Sequence, residues 1–176
     1  VLETILPKCF DGITTGELYR MAFEELKKIS NSVAARYSLK KALLELGPAG
    51  FYFEQWIARV FQNIGYKTET GQLIKGHAVT HEADVIAKKD DKTYWVECKF
   101  RNAEDTKISV TTPMYVLSRI KDISNIQYNL FGTKTEFTAG WLITNTYFTK
   151  DSVAFSEYYG LRLLSWDYPK DKNIKS

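Results

Sequence analysis

Residues 94–100 read Tyr94-Trp95-Val96-Glu97-Cys98-Lys99-Phe100. Side chains alternate between the two faces of a β-strand. Tyr94, Val96, Cys98 and Phe100 therefore form an apolar face that can pack on a helix. Trp95, Glu97 and Lys99 share the other face. A carboxylate and an amine thus project into one space from a strand whose back is wholly apolar.

The preceding strand is predicted over Val79–Lys88, and Lys89-Asp90-Asp91-Lys92 forms a polar turn between the two. A hairpin centred there sets Asp84 opposite Glu97. An aspartate in the middle of an apolar strand runs against both strand propensity and the cost of desolvation. Facing carboxylates add a repulsion of roughly a few tenths of a kcal/mol. A divalent cation between them removes that penalty, and hard oxygen ligands suit Mg²⁺, with Mn²⁺ able to substitute. Glu54 adds a third acid, since it falls beside Ile57 and Phe61 at the edge of a helical apolar stripe.

These four residues suit phosphodiester hydrolysis. Asp84 and Glu97 would hold the metal, helped by the backbone carbonyl of Cys98, and Glu54 would complete the shell directly or through water. Lys99 would orient the attacking water and offset developing negative charge.

Outward from this pair of strands, the pattern is an alternation of helices and strands. A helix is predicted from Phe51, with Phe53, Trp56, Ile57, Val60, Phe61 and Ile64 on one stripe and Gly65 as its stop. Further strands are predicted over Tyr66–Leu73, Phe137–Asn145 and Leu161–Trp166. Helices are predicted from Pro113 to about Leu130 and over Thr149–Tyr159, the latter capped by Thr149 or Ser152 and ended by Gly160. The tail PKDKNIKS is predicted to be disordered. Such an order implies an α/β fold with helices on a mixed central sheet. Ahead of it, residues 13–47 read as a helical hairpin, with Thr14 or Thr15 as first cap and Gly47-Pro48 as the stop. The expected division is a helical segment over 1–47 and an α/β domain over 48–176.

Composition narrows the class without naming a function. The chain has 176 residues, 44% hydrophobic and 26% charged, so it can bury a real core. A net charge of +3 is too small to announce a nucleic-acid partner. The two cysteines, Cys9 and Cys98, have no CxxC spacing, which argues against structural zinc and for free thiols in a reducing compartment. No apolar run is long enough to span a bilayer. The start, VLETILPKCFDG, lacks both a signal-peptide pattern and an initiator Met, so residue 1 reads as a fragment boundary. The expected setting is cytoplasmic, with no membrane partner.

Asp84 followed thirteen positions on by Glu97-Cys98-Lys99 is similar to the PD-(D/E)XK nuclease motif, and Glu54 matches the acid that many members carry on the first core helix. Within that superfamily the chain resembles the Mrr-like restriction endonucleases and the archaeal Holliday-junction resolvases. GWLITNTYFTKDSVAFSEYYGLRLLSW looks like the Mrr-type tail, in which a strand leads through a Thr-rich turn to a helix and a last strand. The resemblance covers roughly residues 48–168. It implies a restriction-endonuclease-like fold, DNA as partner, a divalent metal, and catalytic roles for Glu54, Asp84, Glu97 and Lys99. Two departures stand out: Ala83 precedes Asp84 where Pro is common, and Glu97 stands where Mrr-type members often carry Gln. Residues 14–47, with AARYSLKKALLELGP, resemble the last helices of an ATP-cone. The strand and turn that would grip the nucleotide are missing, so ATP is not expected as a ligand here. A homodimer is expected if both strands of a duplex are cut.

Plainer accounts exist for each residue. Glu97 and Lys99 could form a solvated surface ion pair worth about 0–1 kcal/mol. Glu54 could favour a helix dipole as an early acid. Glu82 rivals Asp84 as a ligand, although its mate across the hairpin would be Lys99. His81 is expected on the face opposite Asp84, in a hydrogen-bonding role. Arg119 and Lys121 could grip phosphate, yet such pairs are mostly solvated surface. Gly71 and Gly76 could serve only as turn residues. Beside the nuclease reading stands a non-catalytic nucleic-acid-binding or regulatory module on the same fold.

Overall fold

The computed structural model describes residues 1–45, 50–103 and 106–175. It divides into two compact units, one over Val1–Glu45 and the other within Leu46–Ile174.

The first unit is helical: α1 (Leu2–Ile5), a 3-10 turn over Leu6–Lys8, α2 (Thr15–Ile29) and α3 (Asn31–Glu45). Thr14 is the cap of α2. Its hydroxyl accepts the Glu17 N–H at 3.2 Å, and the Glu17 carboxylate accepts the Thr14 N–H at 2.9 Å. This reciprocal box needs a Glu three residues after the cap, which selects Thr14 over Thr15. Tyr19 and Tyr37 stack across the two long helices with ring centroids 4.8 Å apart. The stop expected at Gly47-Pro48 lies outside the described residues.

The second unit opens with α4 (Gly50–Asn63), which buries Phe53, Ile57, Ala58 and Phe61. Ile64, expected on the same stripe, lies past the helix end and is exposed. Next come β1 (Lys67–Lys75), β2 (Thr80–Lys89), β3 (Lys92–Lys99), the two-residue β4 (Lys107–Ile108) and α5 (Thr111–Asp122). They are followed by β5 (Tyr128–Leu130), β6 (Thr133–Thr135), β7 (Phe137–Thr144), β8 (Tyr147–Phe148), α6 (Lys150–Tyr159) and β9 (Arg162–Leu164). The main sheet runs in the order β1-β2-β3-β7-β9. Its first two pairings are antiparallel and its last two parallel. It is the mixed central sheet expected of a restriction-endonuclease-like α/β fold.

Helices cover both sheet faces. On one, Phe53 of α4 meets Phe100 at 5.7 Å and Phe61 meets Trp141 at 5.8 Å, as the apolar face of residues 94–100 requires. On the other, Ile86, Trp95, Leu142 and Leu163 pack with Val116 and Ile123 from α5 and its end.

Two expectations need correction, and one strand pair goes unannounced in the sequence. The helix from Pro113 does not reach Leu130 but ends at Asp122, where Asn125 turns to positive φ and residues 128–135 form a β5/β6 hairpin. Its two-residue turn, Phe131-Gly132, has φ of 54° and 73°. Both central residues of such a turn need positive φ, which glycine adopts freely; Phe131 packs on the core in compensation. The parallel β4/β8 pair is too short to leave a sequence period. The tail over 169–175 is not disordered but folds back, with the Ile174 N–H donating to the Ser165 carbonyl at 3.0 Å.

Candidate active site at the open end of the β2/β3 hairpin

The hairpin turns at Asp90-Asp91, with Lys89 paired to Lys92 and the register running on to Val85 opposite Val96. One step further, that register sets Asp84 beside Glu97. Here the ladder stops, and the Asp84 side chain takes the next backbone donor: its Oδ2 accepts the Cys98 N–H at 2.7 Å. Asp84, Glu97 and Lys99 come together as expected. Lys99 Nζ donates to Glu97 Oε1 at 2.7 Å, so Lys99 pairs with Glu97 and not with Glu82, its expected mate across the hairpin.

Glu97 is the most enclosed of the group, with 1% of its side chain exposed. Besides Lys99 it meets Arg119 of α5, whose Nη1 lies 3.0 Å from Oε1 and 2.8 Å from Oε2. The indole Nε1 of the fully buried Trp95 donates to Oε2 at 3.3 Å. Each oxygen therefore accepts two N–H contacts. Arg119 is the residue that sequence reasoning missed, having been read as surface. The signal was its spacing: it stands three residues after Val116 and four before Ile123, both buried, and so lies on the inward stripe of α5.

α5 is itself latched to the start of β2. Asp122 accepts the N–H groups of Ala78 at 2.9 Å and Val79 at 3.2 Å, and lies 2.8 Å from His81 Nε2. His81 has the hydrogen-bonding role expected of it, but it turns toward α5 and Trp95, the side that Glu97 also faces. Gly76 is more than a turn residue, because a Cβ there would collide with the Asp122 carboxylate.

Electrostatics ties Glu54 to the group. Burial, then the charges of Glu82 and Glu97, raise its pKa against the pull of Lys99. Among the described residues it makes no hydrogen bond with Asp84, Glu97 or Lys99. Burial and the Glu97 charge push Asp84 up to about 7, although the Cys98 N–H works the other way. Burial also opposes the Lys99 ammonium, yet the charge and hydrogen bond of Glu97 win and hold its pKa above the ordinary value. The buried Cys98 thiol is driven up by burial and by all three acids, so it stays protonated and only its main chain could serve a metal.

Three carboxylates share one electrostatic neighbourhood, in which burial first and then the Glu97 charge raise the Asp84 pKa against the pull of the Cys98 N–H and Lys99. The chemistry fits a hard dication. Yet among the described residues no three His, Cys, Asp or Glu side chains stand ready to hold one. The carboxylate of Glu97 offers about four lone-pair sites, and all four are met.

Comparisons with known proteins give the family. Residues 48–167 match the Mrr catalytic-domain family, a family of restriction endonucleases. The chain belongs to that family. An uncharacterized protein of Archaeoglobus fulgidus is 30% identical over 119 residues, which is 68% of this chain and 63% of that protein. The crystal structure of AF1548, a protein of unknown function, superposes with a TM-score of 0.63 at 28% identity, covering 72% of this chain and 64% of the other. The chain thus spans a little under two thirds of the length of these relatives. Membership brings a nuclease-type hydrolase domain of a kind that typically uses divalent metals. Among the described residues no helix is long and apolar enough to cross a membrane.

Proposed function

We propose that this chain is a metal-dependent endonuclease that hydrolyses DNA phosphodiester bonds. The observation that carries the reading is the half-buried Asp84 set beside the buried Glu97, with Lys99 bonded to Glu97. Asp84, Glu97 and Glu54 would hold Mg²⁺ or Mn²⁺, which when bound supplies Lewis-acid polarisation of a phosphoryl oxygen and a more acidic water. Lys99 carries the only ammonium of the motif, and a phosphate brought to the site draws it by charge. Its retained proton offsets negative charge that develops on the phosphate. The face holding Tyr94, Val96 and Cys98 packs against α4 and keeps water from the back of the site. Two copies would be needed to cut both strands of a duplex, and the free thiols of Cys9 and Cys98 suit a reducing, cytoplasmic setting. Residues 1–47 would be a separate helical segment.

The saturation of Glu97 by Lys99, Arg119 and Trp95 favours one competing reading, a domain that binds nucleic acid without cutting it. Supercoiled plasmid incubated with Mg²⁺ or Mn²⁺ decides between them. Nicked and linear products are expected from the wild type and not from Asp84→Ala or Lys99→Ala. Retarded but uncut plasmid under every divalent cation would leave the binding module standing alone.

A further inference from the structure

The Thr-rich turn that ends β7 is buried at Thr144, Asn145 and Thr146, and the acid cluster makes no use of it. Polar side chains tolerate burial when they are hydrogen-bonded. These three bond to the main chain that leaves β3. The Thr144 hydroxyl donates to the Lys99 carbonyl at 2.6 Å, and the Thr146 hydroxyl to the Thr106 carbonyl. Asn145 takes both main-chain groups of Arg101: its Oδ1 accepts the N–H at 2.8 Å and its Nδ2 donates to the carbonyl at 2.8 Å. The N–H and C=O of one residue point the same way in extended backbone, as where two strand residues exchange both bonds. The Asn145 amide thus carries the strand on past Lys99. Phe100 keeps the alternation, since it lies against Phe53 on the α4 side at 5.7 Å. Arg101 then falls on the face of Glu97 and Lys99.

The Arg101 side chain is exposed, and its guanidinium makes one long contact, to the Phe100 carbonyl at 3.5 Å. Among the described residues no carboxylate meets it. Its main chain is clamped by a buried amide while its charge is left to solvent, an arrangement that suits a ligand from outside the chain. Two steps along a strand cover about 6.7 Å, close to the step between neighbouring phosphates of one DNA strand. We propose that Arg101 binds the DNA phosphate next to the one drawn to Lys99, and that Asn145 is the residue that positions it. The inference rests on DNA as the ligand of the reading above and needs no metal. A guanidinium offers phosphate two parallel N–H donors. Such a contact fixes register on the duplex without reading its sequence, and its mark is salt dependence, because the bound phosphate gives up its counterion.

The test is fluorescence anisotropy of a labelled DNA duplex with the full chain, in chelator, over a series of salt concentrations. Arg101→Gln is expected to bind about tenfold more weakly near 0.1 M salt and to lower the slope of log affinity against log salt by about 0.9. Arg101→Lys keeps the charge and should keep the slope. Lys92→Gln, at the far end of the β2/β3 hairpin, removes the same charge and should leave the slope unchanged. An equal drop from Lys92→Gln overturns the proposal, since general charge would then explain it, and so does an Arg101→Gln protein that matches wild type. Asn145→Ala should weaken binding in the same direction, and the double variant with Arg101→Gln should bind no worse than Arg101→Gln alone. Losses that simply add would mean that Asn145 acts on the fold alone, and would overturn its positioning role. If Asn145→Ala fails to fold, the exposed Arg101 variants carry the test. A wild type that binds no duplex overturns the DNA reading and this inference together; one that binds, with Arg101→Gln unchanged, overturns this inference alone.

Discussion

The two ends of the β2/β3 hairpin are written in the same charged residues and behave in opposite ways. At the turn, Lys89 and Lys92 flank Asp90 and Asp91, all exposed, and Lys89 Nζ meets the neutral Ile64 carbonyl at 2.8 Å and lies over the Tyr66 ring. At the open end, Asp84, Glu97 and Lys99 are largely out of water and bonded to one another or to a backbone donor. Solvent satisfies the first set at little cost. The second set must satisfy itself, and where it falls short burial raises a carboxyl's pKa, as it does that of Asp84. Burial alone turns one end of the hairpin into a self-satisfied charge cluster and leaves the other as a solvated tip.

The largest effect expected from breaking this contrast is on cleavage. Lys99→Ala should lower the plasmid-cutting rate by about a thousandfold, within the usual range for a residue that handles protons and charge in the reaction. The matching change at the tip, Lys92→Ala, should leave the rate within about twofold; equal losses at both ends would erase the distinction.

Next comes the dependence of stability on pH. In the unfolded chain Asp84 ionises near pH 3.9, and in the folded chain only near 7. Between those values the folded state holds the extra proton, so stability from this group falls as pH rises through the window. Each pKa unit is worth about 1.4 kcal/mol before any allowance for solvent screening. In chelator, the melting temperature should be higher at pH 5 than at pH 8, and Asp84→Asn should flatten the slope. Mg²⁺ should raise the midpoint at pH 8 for the wild type and not for Asp84→Asn. A slope untouched by the substitution would show that burial of Asp84 is not its cause.

Smaller still is the effect of loosening the latch on α5. Gly76→Ala pushes a methyl into the Asp122 carboxylate and should destabilise by about 1–3 kcal/mol in urea unfolding. Smallest is Lys92→Ala in the same assay, within about 0.5 kcal/mol of wild type, since an exposed tip residue has little to lose.

Periodicity along the chain was enough for much of this. Alternation over residues 94–100 assigns Cys98 and Phe100 to the α4 side and Glu97 to the other, because side-chain direction in a strand is set locally by the backbone. The Asp90-Asp91 turn likewise sets the register that brings Asp84 to Glu97. α4 announces itself by its stripe, whereas the cap of α2, open between Thr14 and Thr15 in the sequence, is settled as Thr14 by the box it forms with Glu17. Glu54, by contrast, is legible as an inward acid, but its relation to the other charges is not.

What tertiary structure alone decided is which charge answers which. Lys99 could have paired with Glu82 or Glu97 by strand geometry, and it pairs with Glu97 because the Trp95 side of the sheet is where α5 closes over the buried acid. Arg119 reaches Glu97 from a helix whose place depends on the crossover from β3 to β7 and on Asp122 gripping the start of β2. The β5/β6 hairpin is held by Phe131 against the core, a contact no local period encodes. A repeating pattern reports which way a side chain points from its own backbone. The partner it meets, and how far that partner excludes water, belongs to segments distant in sequence that folding brings near.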